Sequence, residues 1–201
     1  MWVVKLGGSL NTDALLPEWL QLLAQLGGGR VTIVCGGGGF ADEVRRAQAI
    51  WRFDDLNAHN MALLAMAQTA YLARGLNPDL RLAANLAEIR QVLHGGYTAL
   101  WLPLERLSET PGPDASWDVT SDSLAAWLTG QLRAQGLVLV KSGEFGGGRV
   151  DAMEMAERGR VDACFPQFVA TAGCAVHVMS RDGLEWLGKI LKPGIGIMAE
   201  S

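Results

Sequence analysis

The chain alternates short, wholly apolar runs with longer stretches in which apolar positions recur every three or four residues. Compact apolar runs read as strands buried on both faces, and the longer period reads as amphipathic helix. Strands are therefore predicted at Trp2–Leu6, Val31–Cys35 and residues 98–102, 137–140 and 175–178. Helices are predicted at residues 15–26, 40–50, 56–74, 86–93, 121–135 and 184–190. In the third helix Met61, Leu64, Ala65, Gln68 and Leu72 share one face, which the spacing assigns to the core. Alternation of strand and helix predicts an α/β fold, a three-layer αβα sandwich around a mainly parallel sheet. Residues 103–113 and the glycine-rich stretch 143–149 read as surface excursions, the second of them flexible. No internal repeat or composition shift divides the chain, so a single domain over residues 1–201 is expected.

Two of these strands stop at glycine clusters: Lys5-Leu6-Gly7-Gly8-Ser9 and Val34-Cys35-Gly36-Gly37-Gly38-Gly39. Glycines at a strand's carboxyl end allow a sharp turn and bring backbone N–H groups close to an anionic ligand. Lys5 stands inside the first run. A lysine can snorkel from a strand edge, but in an otherwise apolar central strand an unpaired ammonium is costly, and it requires an anion. Two such loops in one chain point to two phosphate-bearing ligands held face to face.

Composition narrows the choices. The 201 residues are 49% hydrophobic and 19% charged, enough for a packed core. A net charge of −4 without any basic tract argues against a nucleic-acid partner. No apolar window reaches the roughly 18 residues of a membrane span, and the N-terminus reads as a strand rather than a secretory signal, so a cytoplasmic location is expected. The three cysteines show no metal-binding spacing and read as reduced thiols. Seven tryptophans, among them Trp19, Trp51 and Trp101, fit either a subunit interface or the core; a homo-oligomer is expected. Neither a G-x-x-x-x-G-K-[ST] loop nor a G-x-G-x-x-G turn after a strand is present, which removes P-loop and Rossmann readings.

Taken together, Val3-Val4-Lys5-Leu6-Gly7-Gly8-Ser9, Ile33-Val34-Cys35-Gly36-Gly37-Gly38 and Trp117-Asp118-Val119-Thr120-Ser121-Asp122-Ser123 resemble, in order and spacing, the motifs of the amino acid kinase family. That group includes acetylglutamate, carbamate, uridylate and isopentenyl phosphate kinases. The resemblance implies an ATP- and Mg²⁺-dependent kinase acting on a small-molecule acceptor. It implies that Lys5 meets the phosphoryl group in transfer, that Gly7, Gly8 and Ser9 hold ATP phosphates, and that Gly36, Gly37 and Gly38 hold the acceptor. It gives Asp122 the task of organising the catalytic lysines, although an aspartate there also suits a helix N-terminus capped by Thr120 or Ser121. Asp118 matches an acceptor-contacting position.

Lys141-Ser142 departs from the Ser/Thr-Asp turn of many relatives. A lysine at a strand's carboxyl end suits ATP phosphates, as a catalytic or nucleotide-binding group together with Ser142; a solvated charge is the alternative. His59 lies in a His-x-Met-Ala run similar to the branch whose acceptors already carry a phosphate, such as isopentenyl phosphate and aminomethylfuran phosphate kinases. Arg45 can add a bidentate clamp on that phosphate, or can be a solvated helix residue. The expected reaction is therefore phosphorylation of a phosphomonoester. An acyl phosphate formed on a carboxylate, and a non-catalytic nucleotide-binding relative, are the competing readings. Gly194-Ile195-Gly196-Ile197 resembles the closing strand of the family.

Overall fold

The computed structural model describes residues 1–110, 112 and 115–191; the closing segment expected at residues 194–197 lies outside them. In chain order the elements are β1 (Trp2–Leu6), α1 (Leu16–Gly27), β2 (Val31–Cys35), α2 (Gly38–Trp51), α3 (Asp55–Leu76), β3 (Arg81–Ala83), α4 (Leu86–His94), β4 (Ala99–Trp101), α5 (Ser121–Leu132), β5 (Gly136–Lys141), β6 (Gly148–Arg149), α6 (Ala152–Glu157), α7 (Phe165–Ala172), β7 (Ala175–Ser180) and α8 (Leu184–Leu191). Seven strands form one sheet in the order β3-β4-β2-β1-β5-β7-β6. All neighbours are parallel except β6, which runs antiparallel to β7.

Each face of the sheet carries its own core. Val3, Val34, Leu137 and Leu139 pack with Leu124, Ala125 and Leu128 of α5 on one side. Val4, Leu6, Ile33 and Val138 pack with Trp19, Leu20 and Leu23 of α1 and Leu187 of α8 on the other. Successive strand residues point to opposite faces, so Lys5 and Lys141 follow the odd-numbered residues of β1 and β5 toward α5. Sequence order reverses around β1, with β2 on one side and β5 on the other. Open α/β sheets hold their ligands at the carboxyl ends of strands around such a reversal. Lys5, both glycine clusters and Lys141 lie there.

Three expectations need correction. The core face of α3 is not Met61, Leu64, Gln68 and Leu72: Met61, Leu64 and Leu72 are 39%, 44% and 37% exposed. The buried face holds Ala58, Ala65, Ala70 and Ala73 together with Leu63 and Met66, so of the predicted set only Ala65 faces the core. The stretch 143–149 is not simply a loop, since Gly148 and Arg149 pair with β7. The predicted helix to residue 135 ends at Leu132, where Arg133 turns left-handed at φ 51°. Trp19 and Trp101 are core residues, whereas Trp51 is 78% exposed. Among the described residues no helix is long and apolar enough to cross a membrane.

Candidate active site

The site begins with an ion cluster sealed under the sheet's carboxyl edge. Lys5 Nζ lies 2.8 Å from Asp122 Oδ1, and Lys141 Nζ lies 2.5 Å from Oδ2. Lys5 and Asp122 are both 4% exposed. Burial raises the Asp122 pKa, but the charges of Lys5 and Lys141 outweigh it and hold the carboxyl below its ordinary range. Burial lowers the Lys141 pKa, the charge of Lys5 adds to that, and the pull of Asp122 only partly offsets both. Lys5 approaches Oδ1 outside hydrogen-bonding geometry, leaving that oxygen without a directed donor. Two ammonium groups share one contacting carboxylate, so one positive charge in this low-dielectric setting has no counter-ion in direct contact. Such a cluster is built to receive an anion.

The two glycine clusters are in contact with each other, which accounts for Gly8, Gly36 and Gly38. A Cβ on Gly8 would stand 2.7 Å from Gly38 Cα, and one on Gly36 would stand 2.6 Å from Gly8 N. Asn11 Nδ2 donates to Thr69 Oγ1 at 3.0 Å, tying the first turn to α3. The second cluster is shorter than a four-glycine loop, because Gly38 and Gly39 already belong to α2. The backbone N–H groups at the start of a helix have no intrahelical partner and face outward as an anion cradle.

A cavity of about 410 Å³ opens beside these turns. Gly8, Ser9, Gly36, Gly37, Gly38, Arg45 and His59 line it together with apolar Leu63, Met66, Val119 and Leu124. Arg45 is half exposed, paired with Asp42 at 2.9 Å, and its guanidinium stacks 4.3 Å from the Trp117 ring. The Trp117 indole donates to Gln48 Oε1 at 2.7 Å, which fixes the ring across the cavity's edge. His59 is buried at 7% exposure.

Two of the amides in the glycine clusters are already used within the sheet, and Asp118 and Ser142 stand outside the cavity lining. The Gly7 N–H donates to Val140 O at 2.9 Å, and the Gly36 N–H donates to Leu6 O at 2.9 Å, so neither amide can serve a phosphate. Asp118 is exposed and lies outside the cavity lining; its carbonyl accepts from the Cys164 N–H, while Trp117, Val119, Thr120 and Ser121 on either side face the cavity. Ser142 is exposed, one residue past Lys141. Two groups escaped the sequence reading. Trp117 stood in a quoted motif, but nothing local marked it as a wall. Asp162 lies about 40 residues after α5 begins and accepts hydrogen bonds at that helix's first turn.

The model of the amino acid kinase family matches residues 1–144. The chain belongs to the amino acid kinase family. It is a phosphotransferase by that membership. It is 26% identical over 176 residues to the [5-(aminomethyl)furan-3-yl]methyl phosphate kinase of Methanocaldococcus jannaschii, covering 83% of this chain and 81% of that one. Its fold is similar to uridylate kinase from Archaeoglobus fulgidus, with TM-score 0.72 and 16% identity over 96% of this chain and 95% of the other. UMP kinase from Bacillus anthracis follows at TM-score 0.67 and 17% identity, with 94% and 91% covered.

Proposed function

We propose that this amino acid kinase uses Mg·ATP to phosphorylate a small phosphomonoester, of the class of an aminomethylfuran phosphate, giving a diphosphate and ADP. The observation that carries the reading is that Arg45 and His59 line the same cavity as Gly8 and Gly37. Arg45 and His59 offer groups for a phosphate already on the acceptor, and the Gly8 turn offers a cradle where a γ-phosphate would rest. The wall of Leu63, Met66 and Trp117 suits a compact unsaturated body between them. The relative named for an aminomethylfuran phosphate supports the same class.

The chemistry needs no protein nucleophile. An ionised oxygen of the acceptor phosphate attacks the γ-phosphorus of ATP, the bond from that phosphorus to the β,γ-bridging oxygen breaks, and ADP leaves with the electron pair. No proton has to be removed. Lys5 and Lys141 take up the charge that moves toward the bridging and equatorial oxygens, and Asp122 keeps the two ammonium groups from drifting apart. Gly8 and Ser9 face the nucleotide side, Gly37 and Gly38 the acceptor side. Mg²⁺ would be held by the ATP phosphates and would offset part of their charge; among the described residues no group of three or more His, Cys, Asp or Glu side chains could hold a metal ion.

The protein acts as a homo-oligomer in this reading. Ile50, Trp51, Met61, Leu64, Leu72 and Leu76 leave an apolar stripe exposed along α2 and α3. Stripes of that kind mark contact surfaces.

The test is steady-state kinetics with Arg45→Gln and His59→Gln. Each raises KM for a phosphomonoester at least about tenfold, the loss of one charged or strong hydrogen bond, while the affinity for a non-hydrolysable ATP analogue stays at the wild-type value. Carboxylate acceptors that react better than phosphomonoesters, detected by hydroxylamine trapping, would overturn the assignment in favour of an acyl phosphate.

A further inference from the structure

Asp122 can bridge two lysines only if the first turn of α5 is held still, and the usual device for that is weak. Thr120 occupies the N-cap position, yet its hydroxyl accepts from the Asp122 N–H only at an N···O distance of 3.5 Å, the outer limit of a hydrogen bond. The same hydroxyl donates to Asp162 Oδ2 at 2.7 Å. The same carboxylate oxygen accepts from the Thr120 N–H at 3.0 Å and the Ser123 N–H at 3.1 Å, while Asp162 Oδ1 accepts from the Ser123 hydroxyl. The Ser123 N–H is the third of the helix, the one an N-cap side chain ordinarily receives. Asp162, from the segment between α6 and α7, thus caps a helix that begins 41 residues earlier. Four charge-assisted hydrogen bonds converge on one carboxylate.

We propose that Asp162 is a positioning residue for phosphoryl transfer: it clamps the start of α5 so that Asp122 meets Lys5 and Lys141 together. The inference rests on the kinase reading above. Asp162 touches neither lysine by hydrogen bond; its charge nonetheless favours the protonated form of Lys141. The charged groups facing Lys141 are Lys5 on β1, Asp122 on α5 and Asp162. Nothing local in the sequence announces the clamp, because a lone Asp before a short helix has many ordinary uses.

The experiment compares Asp162→Asn, Ser123→Ala and Thr120→Val with wild type in kinetics, in analogue-binding stoichiometry and in ¹⁵N-lysine NMR titration. Asn supplies one acceptor oxygen where four donors converge, so kcat per binding site falls about 10–100-fold while KM values stay within about threefold. The alkaline limb of the kcat profile moves to lower pH, and the Lys141 ammonium titrates at lower pH. Ser123→Ala and Thr120→Val, which each remove one hydroxyl donor, lower kcat in the same direction by a smaller factor. They decide the question if Asp162→Asn does not fold. Wild-type kcat per site with an unmoved Lys141 titration in the variants overturns the clamp, even if melting temperatures drop. A wild type that transfers no phosphate overturns the kinase reading instead, and the lysine titration then still decides whether Asp162 sets the cluster.

Discussion

Replacing Lys5 with Met separates what the fold needs from what the site needs. Lys5 lies mid-sheet, with Val34 opposite it on β2 and Leu139 opposite it on β5. Its side chain is 5% exposed. Removing it leaves Lys141 and Asp122 as a neutral pair at 2.5 Å and relieves a like-charge repulsion that now weakens Lys141's hold on its proton. Met matches the unbranched stem and fills the same space. Replacing a whole buried ion pair with well-packed apolar groups is commonly neutral or stabilising by about 1–4 kcal/mol, whereas removing one partner and stranding the other costs about 3–5 kcal/mol. Asp122 loses one of two counter-ions but keeps Lys141, so the expectation lies between these limits, within about 2 kcal/mol of wild type. Catalysis moves much further. A lost donor to transition-state charge costs on the order of 10²–10³ in kcat, about 3–4 kcal/mol. The assay pairs urea unfolding at pH 7 with coupled detection of ADP. A Lys5→Met protein that loses more than about 2 kcal/mol with an unchanged m-value would show that the ion cluster holds the fold together. Retention of kcat within about fivefold would show that Lys5 does not meet the transferred group. Either result refutes the reasoning.

Other perturbations test separate parts of the site. Gly8→Ala forces a methyl to within 2.7 Å of Gly38 Cα, so it costs about 1–3 kcal/mol of stability and raises KM for both substrates; calorimetry and kinetics on one preparation check it. Folded Asp122 binds its proton more weakly than the unfolded carboxyl, so its stabilisation is present above about pH 4 and is lost as pH falls through the lower folded value. Asp122→Asn removes that dependence, which acid titration of stability reads directly. The Cys35 thiol is buried and its pKa is pushed up to about 12, so at pH 8 iodoacetamide leaves it unmodified in native protein and alkylates it after denaturation, as peptide mass spectrometry shows. Leu64→Glu with Leu72→Glu places charges on the exposed face of α3 and converts the proposed oligomer to monomer by light scattering.

The parts of the fold that the sequence made legible are those that one apolar run or one helical period can define. β1 and β2 end where the pattern ends them, because a strand buried on both faces is apolar throughout. β3 and β6 span three and two residues and carry no pattern long enough to read. α6 and α7 were missed as well, being only six and eight residues long. In α3 apolar residues stand on both faces, so the period could be fitted to the wrong one: Leu63, Met66 and several alanines face inward while Met61, Leu64 and Leu72 stay outside. At the site, Lys5 and Asp122 were legible as a lysine and an aspartate in sharp local contexts, and the fold brings them to 2.8 Å. That the Gly7 and Gly36 amides are engaged was not legible, because a glycine cluster does not say which amides the sheet has already used. Trp117 and Asp162 depend on partners 69 and about 40 residues away, contacts that only the folded chain reveals.

The most direct test of the central claim is a ³¹P NMR spectrum of wild-type protein incubated with Mg·ATP and [5-(aminomethyl)furan-3-yl]methyl phosphate. The account predicts loss of the acceptor's phosphomonoester signal and growth of two mutually coupled diphosphate resonances, in step with ADP and dependent on Lys5. Unchanged acceptor beside ATP that stays intact or yields only orthophosphate, with other phosphomonoesters equally inert, would contradict it.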